Sequence, residues 1–139
     1  MRVLFDTNVV LDALLDREPW ADAALALFDR VESGGLAGFL GATTVTTTHY
    51  IARRNVGKDK AREKVGDLLT LFEVAPVSRS VLEGALSLDF DDFEDAALHE
   101  AGRLAGAEAI ATRDPSDFSS SSLRVYDPDT LIAALEAAE

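Results

Sequence analysis

The feature that most constrains the fold is the way the chain begins. Val3 to Phe5 form an apolar run of strand length, and the run ends abruptly at the carboxylate of Asp6. A helical pattern follows at once, with apolar residues at positions 9, 10, 11, 14 and 15 between Asn8 and Leu15. A buried strand that leads directly into an amphipathic helix is typical of alternating α/β folds, which bind ligands at the carboxyl ends of their strands. Asp6 is therefore predicted to lie at a ligand-binding edge.

The rest of the chain continues this alternation. Further helices are predicted over Trp20–Val31, Ala42–Asn55, Lys58–Phe72, Ser80–Ser87, Asp92–Ala105 and from Asp127 onward. Further strands are predicted over Leu36–Gly41, Glu73–Val77, Ala107–Thr112 and Leu123–Tyr126, with a polar loop from Arg113 to Ser122. Such alternation predicts an α/β fold with a mainly parallel sheet between helices. Residues 1–139 contain no linker or repeat, so we expect a single domain.

Composition narrows the class of protein. The chain has 47% hydrophobic residues and no cysteine, so disorder, disulfides and thiolate zinc sites are not expected. No apolar stretch approaches the roughly 20 residues of a membrane span, and Asp6 and Asp12 interrupt any signal peptide. We therefore expect a cytoplasmic protein without a membrane partner.

The charge distribution bears on nucleic-acid binding. The net charge is −12, so the overall field repels nucleic acid. Six of the 13 basic residues nevertheless lie within twelve positions: Arg53, Arg54, Lys58, Lys60, Arg62 and Lys64. This cluster is either a phosphate-contacting patch or a solvated helix face, and the pattern alone leaves both interpretations open.

Acidic residues recur where the predicted sheet would bring them together. Asp6 follows the first strand, and Asp114 and Asp117 follow the strand that ends at Thr112. Asp95 lies in the first turn of a predicted helix, beside the expected buried stripe that includes Phe93. Acids in a first turn also suit the helix dipole, which is the simpler explanation for most acids of that segment. Clustered hard oxygen ligands without histidine or cysteine favour Mg²⁺ or Mn²⁺, and such ions support phosphodiester hydrolysis.

Three segments in this order resemble the PIN-domain family of small metal-dependent ribonucleases, which includes VapC-type toxins. They are Val3–Asn8, Asp92–Ala96 and Ala109–Phe118, and the resemblance covers nearly the whole chain. It implies a three-layer α/β/α fold with a parallel sheet of about five strands. It also implies an acidic pocket for Mg²⁺ or Mn²⁺, an RNA substrate, an antitoxin partner if the chain is such a toxin, and a homodimer.

The resemblance assigns roles by position. Asp6 and Asp95 would be metal ligands, and Asp114 and Asp117 would supply the last acid directly or through water. Supporting hydrogen bonds would come from Thr7, Asn8 and Thr112. The RNA-binding candidates come instead from the basic cluster described above: Arg53, Arg54, Lys58 and Lys60.

One departure from the family pattern lies in the helix after the second strand. The family usually has a further acid there, whereas Ala42 to Ile51 contain no carboxylate. The best alignment places Thr47 at that position, with Thr46 or Thr48 as alternatives. The missing acid would weaken metal binding and slow catalysis. A degenerate domain that binds RNA or a protein without efficient cleavage is therefore the main alternative.

Two other classes place an aspartate after a strand. An aspartate-nucleophile phosphatase would need a second aspartate two residues after Asp6, where this chain has Asn8. A phospho-acceptor receiver domain would need a lysine after a late strand, where this chain has Thr112 and Arg113. Both classes are disfavoured.

Three further residues are assigned to structure rather than to chemistry. Trp20 is expected in the core or an interface, and His49 is expected to pack or to cap. His99 follows Asp95 by four residues, so it could donate a hydrogen bond to that carboxylate across one helical turn.

Overall fold

The structure is a computed structural model that describes all 139 residues. Its strands are β1 (Arg2–Phe5), β2 (Ala37–Gly41), β3 (Glu73–Ala75), β4 (Ala109–Ala111) and β5 (Arg124–Tyr126). Its helices are α1 (Thr7–Leu14), α2 (Ala21–Glu32), α3 (Ala42–Val56), α4 (Lys58–Leu71), α5 (Arg79–Leu86), α6 (Phe93–Ala105) and α7 (Pro128–Ala137), with a 3₁₀ helix over Pro115–Phe118. No helix is both long enough and apolar enough to cross a membrane.

All five strands pair in parallel, in the order β3-β2-β1-β4-β5. The predicted α/β class and five-stranded parallel sheet are confirmed. Strand β1 lies at the centre, with β2 on one side and β4 on the other. The chain therefore winds outward from β1 in both directions, and the crevice of such a sheet opens at the carboxyl end of this strand. Asp6 is the residue that follows β1 there.

Successive residues of β1 face opposite layers of the core. Val3 and Phe5 belong to a cluster of 17 buried residues together with side chains of α1, α2, α4 and α7. Leu4 belongs to a second cluster with Ile110 and with Leu98 of α6. This alternation is the strand period of two, and Val3 to Phe5 are all apolar because the sheet is covered on both faces.

Two residues predicted to be buried are not. The side chain of Trp20 is 42% exposed and that of Phe93 is 47% exposed. Trp20 precedes α2 and lies over the guanidinium of Arg113, which is 3.9 Å from the ring centroid. Phe93 is the first residue of α6 and lies in a surface groove with Leu82 and Leu86. The buried-stripe prediction for Phe93 is therefore wrong. Of the two places expected for Trp20, the core is excluded and an interface stays a prediction.

The predicted polar loop after β4 is also more ordered than expected. Pro115 to Phe118 form a 3₁₀ helix, and the side chain of Phe118 is only 1% exposed. Phe118 packs edge-on against Phe90 at a centroid distance of 5.9 Å. The segment that carries Asp114 and Asp117 is thus anchored in the core at its far end.

Candidate active site at the carboxyl edge of the sheet

Asp6 is held in one orientation by donors on both of its carboxylate oxygens. The backbone N–H of Thr7 donates to Oδ1 at 2.8 Å, and the Thr112 hydroxyl donates to Oδ2 at 2.8 Å. The backbone N–H of Asp6 itself donates to the carbonyl of Ala111 in β4. Burial raises the pKa of Asp6, the two hydrogen bonds oppose that rise, and the charges of Asp114 and Asp117 add to it. Each oxygen keeps a free lone pair, so the carboxylate can still bind a cation.

Thr112 links this carboxylate to the loop after β4. Its side chain is fully buried, and its hydroxyl oxygen accepts a hydrogen bond from the backbone N–H of Asp114 at 3.1 Å while it donates to Asp6. Asn8 makes a second link, because its Nδ2 donates to Asp114 Oδ2 at 3.2 Å. The structure therefore joins Asp6, Asn8, Thr112 and Asp114 in one network.

Asp95 enters the same crevice from α6. Asp92 caps this helix, with its Oδ1 accepting from the Asp95 backbone N–H at 3.1 Å, which fixes the first turn. Burial, followed by the charges of Asp6, Asp92, Asp117 and Glu94, raises the pKa of Asp95 to about 7. A buried carboxyl group whose ionisation is opposed first by burial and then by acidic neighbours lies in a site where a cation would be stabilising.

Asp114 and Asp117 have different surroundings. Asp114 is tied to Asn8, and its charge raises the pKa of Asp6. The side chain of Asp117 has no hydrogen-bond partner, and its charge raises the pKa of both Asp6 and Asp95. Asp117 is therefore the acid of the loop that acts on both inner carboxylates.

These acids form an open site and not a closed cage. No three acidic or histidine side chains of the chain are close enough together to hold a metal ion by themselves. An open arrangement is compatible with Mg²⁺, which is usually bound through one or two carboxylates, several waters and the phosphate groups of a substrate. The hard oxygen donors and the raised pKa of Asp95 fit such an ion.

The side of the site that faces α3 is neutral. Thr44, a buried residue that the sequence reasoning passed over, shares a 3.0 Å hydrogen bond between its hydroxyl and that of Thr7. Thr47 lies one turn further along and is half-buried, whereas Thr46 is exposed and its hydroxyl donates to the carbonyl of Thr43. The buried hydroxyl of Thr48 has no partner. Thr44 follows Gly41 by three residues, and this closeness to the strand end was the signal that could have identified it.

The two histidines lie outside this network. His99 is 1% exposed and packs beside Phe90, but neither of its ring nitrogens has a hydrogen-bond partner. The predicted bond from His99 to Asp95 is therefore absent, and burial lowers the pKa of His99. His49 is half-buried on α3, where it lines a shallow surface cleft with Arg62 and Leu69.

The four RNA-binding candidates lie together at the α3–α4 turn. Arg53, Arg54, Lys58 and Lys60 are all exposed, and none of them forms a salt bridge. Arg54 lies over the ring of Tyr50, with 5.8 Å from the guanidinium carbon to the centroid. At a rise of about 1.5 Å per residue, Arg53 is about 13 Å along α3 from Thr44. The basic cluster is thus separated from the acidic crevice by more than two turns of that helix.

The pKa of Asp95 leads to a prediction for the metal-free protein. Between its ordinary value of 3.8 and about 7, the folded state keeps a proton that the unfolded state has released. Raising the pH through this window therefore lowers the free energy of unfolding, and the loss ends above about pH 7. Urea unfolding in EDTA should give the wild type a lower free energy of unfolding at about pH 8 than at about pH 5.

The control for this prediction is Asp95→Asn, which cannot titrate. Its stability should change less between the two pH values than that of the wild type. An equal pH dependence in both proteins would show that Asp95 does not titrate in this window.

Comparison with known proteins identifies the family. A family model described as the PIN domain matches residues 2–116. The chain therefore belongs to the PIN-domain family. No curated protein sequence matches it.

Solved structures extend the comparison of the fold. A VapBC2 complex of Rickettsia felis bound to a promoter DNA fragment aligns with a TM-score of 0.72 at 12% identity, covering 91% of this chain and 98% of that one. A toxin–antitoxin complex of Klebsiella pneumoniae aligns with a TM-score of 0.70 at 21% identity, covering 91% of this chain and 97% of that one. VapC20 of Mycobacterium tuberculosis is described as a toxin that cleaves the sarcin–ricin loop. It aligns with a TM-score of 0.66 at 17% identity, covering 88% of this chain and 98% of that one. At these identities the likeness shows a shared fold.

Proposed function

We propose that this protein is a metal-dependent endoribonuclease that hydrolyses phosphodiester bonds of RNA with Mg²⁺ or Mn²⁺. The observation that carries the proposal is the pair Asp6 and Asp95 at the carboxyl end of the central strand. Both have a raised pKa, and the charge of Asp117 acts on both. This arrangement of acids at the crevice of a PIN-domain sheet is suited to one divalent ion and the phosphate that accompanies it.

In this proposal Asp6 and Asp95 hold the ion, and Asp117 and Asp114 contact it directly or through water. When bound, the ion supplies activation of a water molecule and neutralisation of charge on the phosphoryl oxygen. Thr112 keeps Asp6 in its orientation, and Asn8 keeps Asp114 close to it. The main-chain N–H of Thr7 fixes the other oxygen of Asp6, while the Thr7 hydroxyl is paired with Thr44.

We propose that the RNA strand runs from this crevice toward the α3–α4 turn. Exposed, unpaired cations are the groups that contact phosphates, and the strongly acidic remainder of the chain leaves few other surfaces for RNA. The contacts would come from Arg53, Arg54, Lys58 and Lys60.

The partners follow from the relatives and from one surface feature. The similar structure from Klebsiella pneumoniae is a toxin–antitoxin complex, so we propose that this protein too is the toxin of such a pair and acts in the cytoplasm as one domain. We also propose a homodimer, because Leu82, Leu86 and Phe93 leave an apolar groove on α5 and α6 that a second copy could cover.

The activity is tested with total RNA and purified protein in Mn²⁺, in Mg²⁺ and in EDTA. Hydrolysis by an activated water leaves a 5′-phosphate and a 3′-hydroxyl, whereas attack by the ribose 2′-hydroxyl leaves a cyclic phosphate. We expect cleavage in either metal, none in EDTA, and 5′-phosphate ends. Cyclic-phosphate ends formed equally in EDTA would contradict the proposal.

A second candidate is favoured by the neutral side of the site. With threonines at positions 44 and 47 instead of an acid, the domain would bind RNA or a protein partner without efficient cleavage. RNA that is retained by the protein in a gel-shift measurement but stays intact in both metals would support this candidate.

Thr47→Glu tests whether the missing acid limits the site. Thr47 is half-buried on the turn that follows Thr44, so a glutamate there could extend to the crevice. We expect Mn²⁺ affinity and cleavage rate to rise by about tenfold, the lower end of what changes around a metal site produce. Thr46→Glu, on an exposed neighbouring position, is the matched control and should leave both unchanged. An equal rise in both variants would mean that the added charge, and not its location at position 47, increases Mn²⁺ affinity and cleavage.

A further inference from the structure

We propose that Arg113 is a positioning residue, which with Asp12 and Trp20 fixes the loop that carries Asp114 and Asp117 at the metal-binding edge. The inference rests on the proposed function, since it names a residue that sets the metal affinity of the same site. Arg113 does not touch the inner carboxylates in the hydrogen-bond network, so it would act through the backbone that follows it.

The first observation is a buried ion pair between the loop and α1. Arg113 Nε lies 2.7 Å from Asp12 Oδ2, and the side chains are 22% and 1% exposed. A second contact of 3.3 Å joins Arg113 Nη2 to Asp12 Oδ1. A fully buried carboxylate in the middle of a helix is costly unless it is paired, so the position of Arg113 is strongly constrained by Asp12.

The second observation is the aromatic cover over the guanidinium. The guanidinium carbon of Arg113 lies 3.9 Å from the centroid of the Trp20 ring. Stacking of this kind suits the planar arginine group and would be weaker for lysine. Trp20 is 42% exposed, so hydrophobic burial alone does not explain its place beside the loop.

The third observation connects this pair to the acids. The backbone N–H of Arg113 donates to Asn8 Oδ1 at 3.2 Å, and Nδ2 of the same Asn8 donates to Asp114 Oδ2 at 3.2 Å. Asn8 and Asp12 are four residues apart on α1, so they lie on one face of that helix. Helix α1 therefore holds both the side chain and the backbone of Arg113, and it begins directly after Asp6.

The rest of the loop has few other restraints. Asp114, Pro115, Ser116 and Asp117 are all exposed. Thr112 holds the Asp114 backbone, and Phe118 anchors the far end in the core. Without Arg113 the acids between these two points would lose one of the few contacts that hold them near Asp6, with the Thr112 and Asn8 hydrogen bonds remaining.

A purely structural role would give the same contacts, so the test must separate stability from metal binding. Removing Arg113 alone leaves Asp12 buried without a partner and could prevent folding. The double variant Asp12→Leu with Arg113→Met replaces the pair by apolar side chains, which often preserves stability. Arg30→Met is the matched control. It removes a 2.7 Å ion pair with Glu139 in the last turn of α2, at the end of that helix opposite to Trp20.

The experiment measures the dissociation constant for Mn²⁺ by electron paramagnetic resonance of free Mn²⁺, on the full chain without RNA. We expect the constant to rise about tenfold in the double variant, as for changes in groups that orient metal ligands, and to stay unchanged in Arg30→Met. Arg113→Lys keeps a cation beside Asp12 and should recover part of the affinity. Amide hydrogen exchange should be faster at positions 113 and 114 in the double variant than in the wild type.

The possible results distinguish the positioning role of Arg113 from the metal site itself. A double variant that folds and binds Mn²⁺ as tightly as the wild type would overturn the positioning role and leave the proposed function intact. A wild type that binds Mn²⁺ neither alone nor with RNA added would overturn the metal site and with it the role of Arg113. Weaker binding in Arg30→Met by the same factor would show a general effect of lost ion pairs and would also overturn the proposal.

Discussion

Replacing Asp6 by asparagine is expected to lower RNA cleavage by more than about a hundredfold. Changes in groups that only orient a metal ligand cost about 10- to 100-fold, and the loss of a ligand itself should cost more. Asparagine has nearly the shape of aspartate, but it has one acceptor oxygen and no charge. The measurement is the initial rate of cleavage of a fluorescent RNA in saturating Mn²⁺.

The same substitution should leave the protein folded. Burial raises the pKa of Asp6, so a neutral side chain relieves part of that cost. The loss of one accepted hydrogen bond opposes this gain by about 1 kcal/mol. We therefore expect the free energy of unfolding to change by no more than about 1 kcal/mol.

Asp67→Asn is the matched control for Asp6→Asn. It makes the same chemical change at an exposed position on α4 and should cleave at the wild-type rate. Loss of activity in both variants would point to the overall charge, and undiminished cleavage by Asp6→Asn would exclude Asp6 from the chemistry.

Removing the four exposed cations at the α3–α4 turn is expected to weaken RNA binding by about a hundredfold at low salt. Each phosphate contact to a single strand contributes about 0.7 to the slope of log affinity against log salt, so four lost contacts should reduce that slope by about 3. Cleavage of saturating RNA should change much less, because the cluster is about 13 Å along α3 from Thr44. Fluorescence anisotropy over a series of salt concentrations measures the RNA affinity and its salt slope. The variant has glutamine at Arg53, Arg54, Lys58 and Lys60.

A control of equal charge separates contact from the overall field. Lys58→Gln with Lys60→Gln is compared with Arg79→Gln combined with Arg124→Gln, which removes two exposed cations elsewhere on the surface. Only the substitutions at Lys58 and Lys60 should reduce the slope of log affinity against log salt. Equal effects of both pairs would mean that RNA responds to net charge and not to the α3–α4 turn.

The sequence was a good guide where one physical rule dominates. The apolar run before Asp6 had to be a central strand because both faces of the sheet are covered, and the predicted parallel sheet of five strands is present. The first turn of α6 was also predicted closely, since Asp92 is a typical capping residue.

The errors occurred where tertiary contacts override a local pattern. Trp20 is apolar and large, which favours burial, yet it covers the guanidinium of Arg113 at the surface. The ion pair of Asp12 with Arg113 joins residues 101 positions apart, and nothing local in the sequence indicates that pairing. Asp12 does follow Asn8 by one helical turn, so the shared helix face was a signal that was not used.

The contribution of each acid depends on its surroundings in the folded chain, which a local sequence pattern does not encode. Thr44 and not Thr47 shares a hydrogen bond with Thr7, so the alignment to the family acid stays a prediction. Asp114 and Asp117 are distinguished only by their surroundings, with one tied to Asn8 and the other acting on both inner carboxylates.

The central claim is that the crevice at Asp6 and Asp95 holds a divalent ion that RNA cleavage requires. The most direct test is the cleavage rate of one defined RNA during a titration of EDTA-treated protein with Mn²⁺. We expect no cleavage without the ion, a rate that rises and then saturates with Mn²⁺, and a flat line for Asp6→Asn. Cleavage that proceeds at full rate in EDTA, or a Mn²⁺ response that Asp6→Asn leaves unchanged, would contradict the claim.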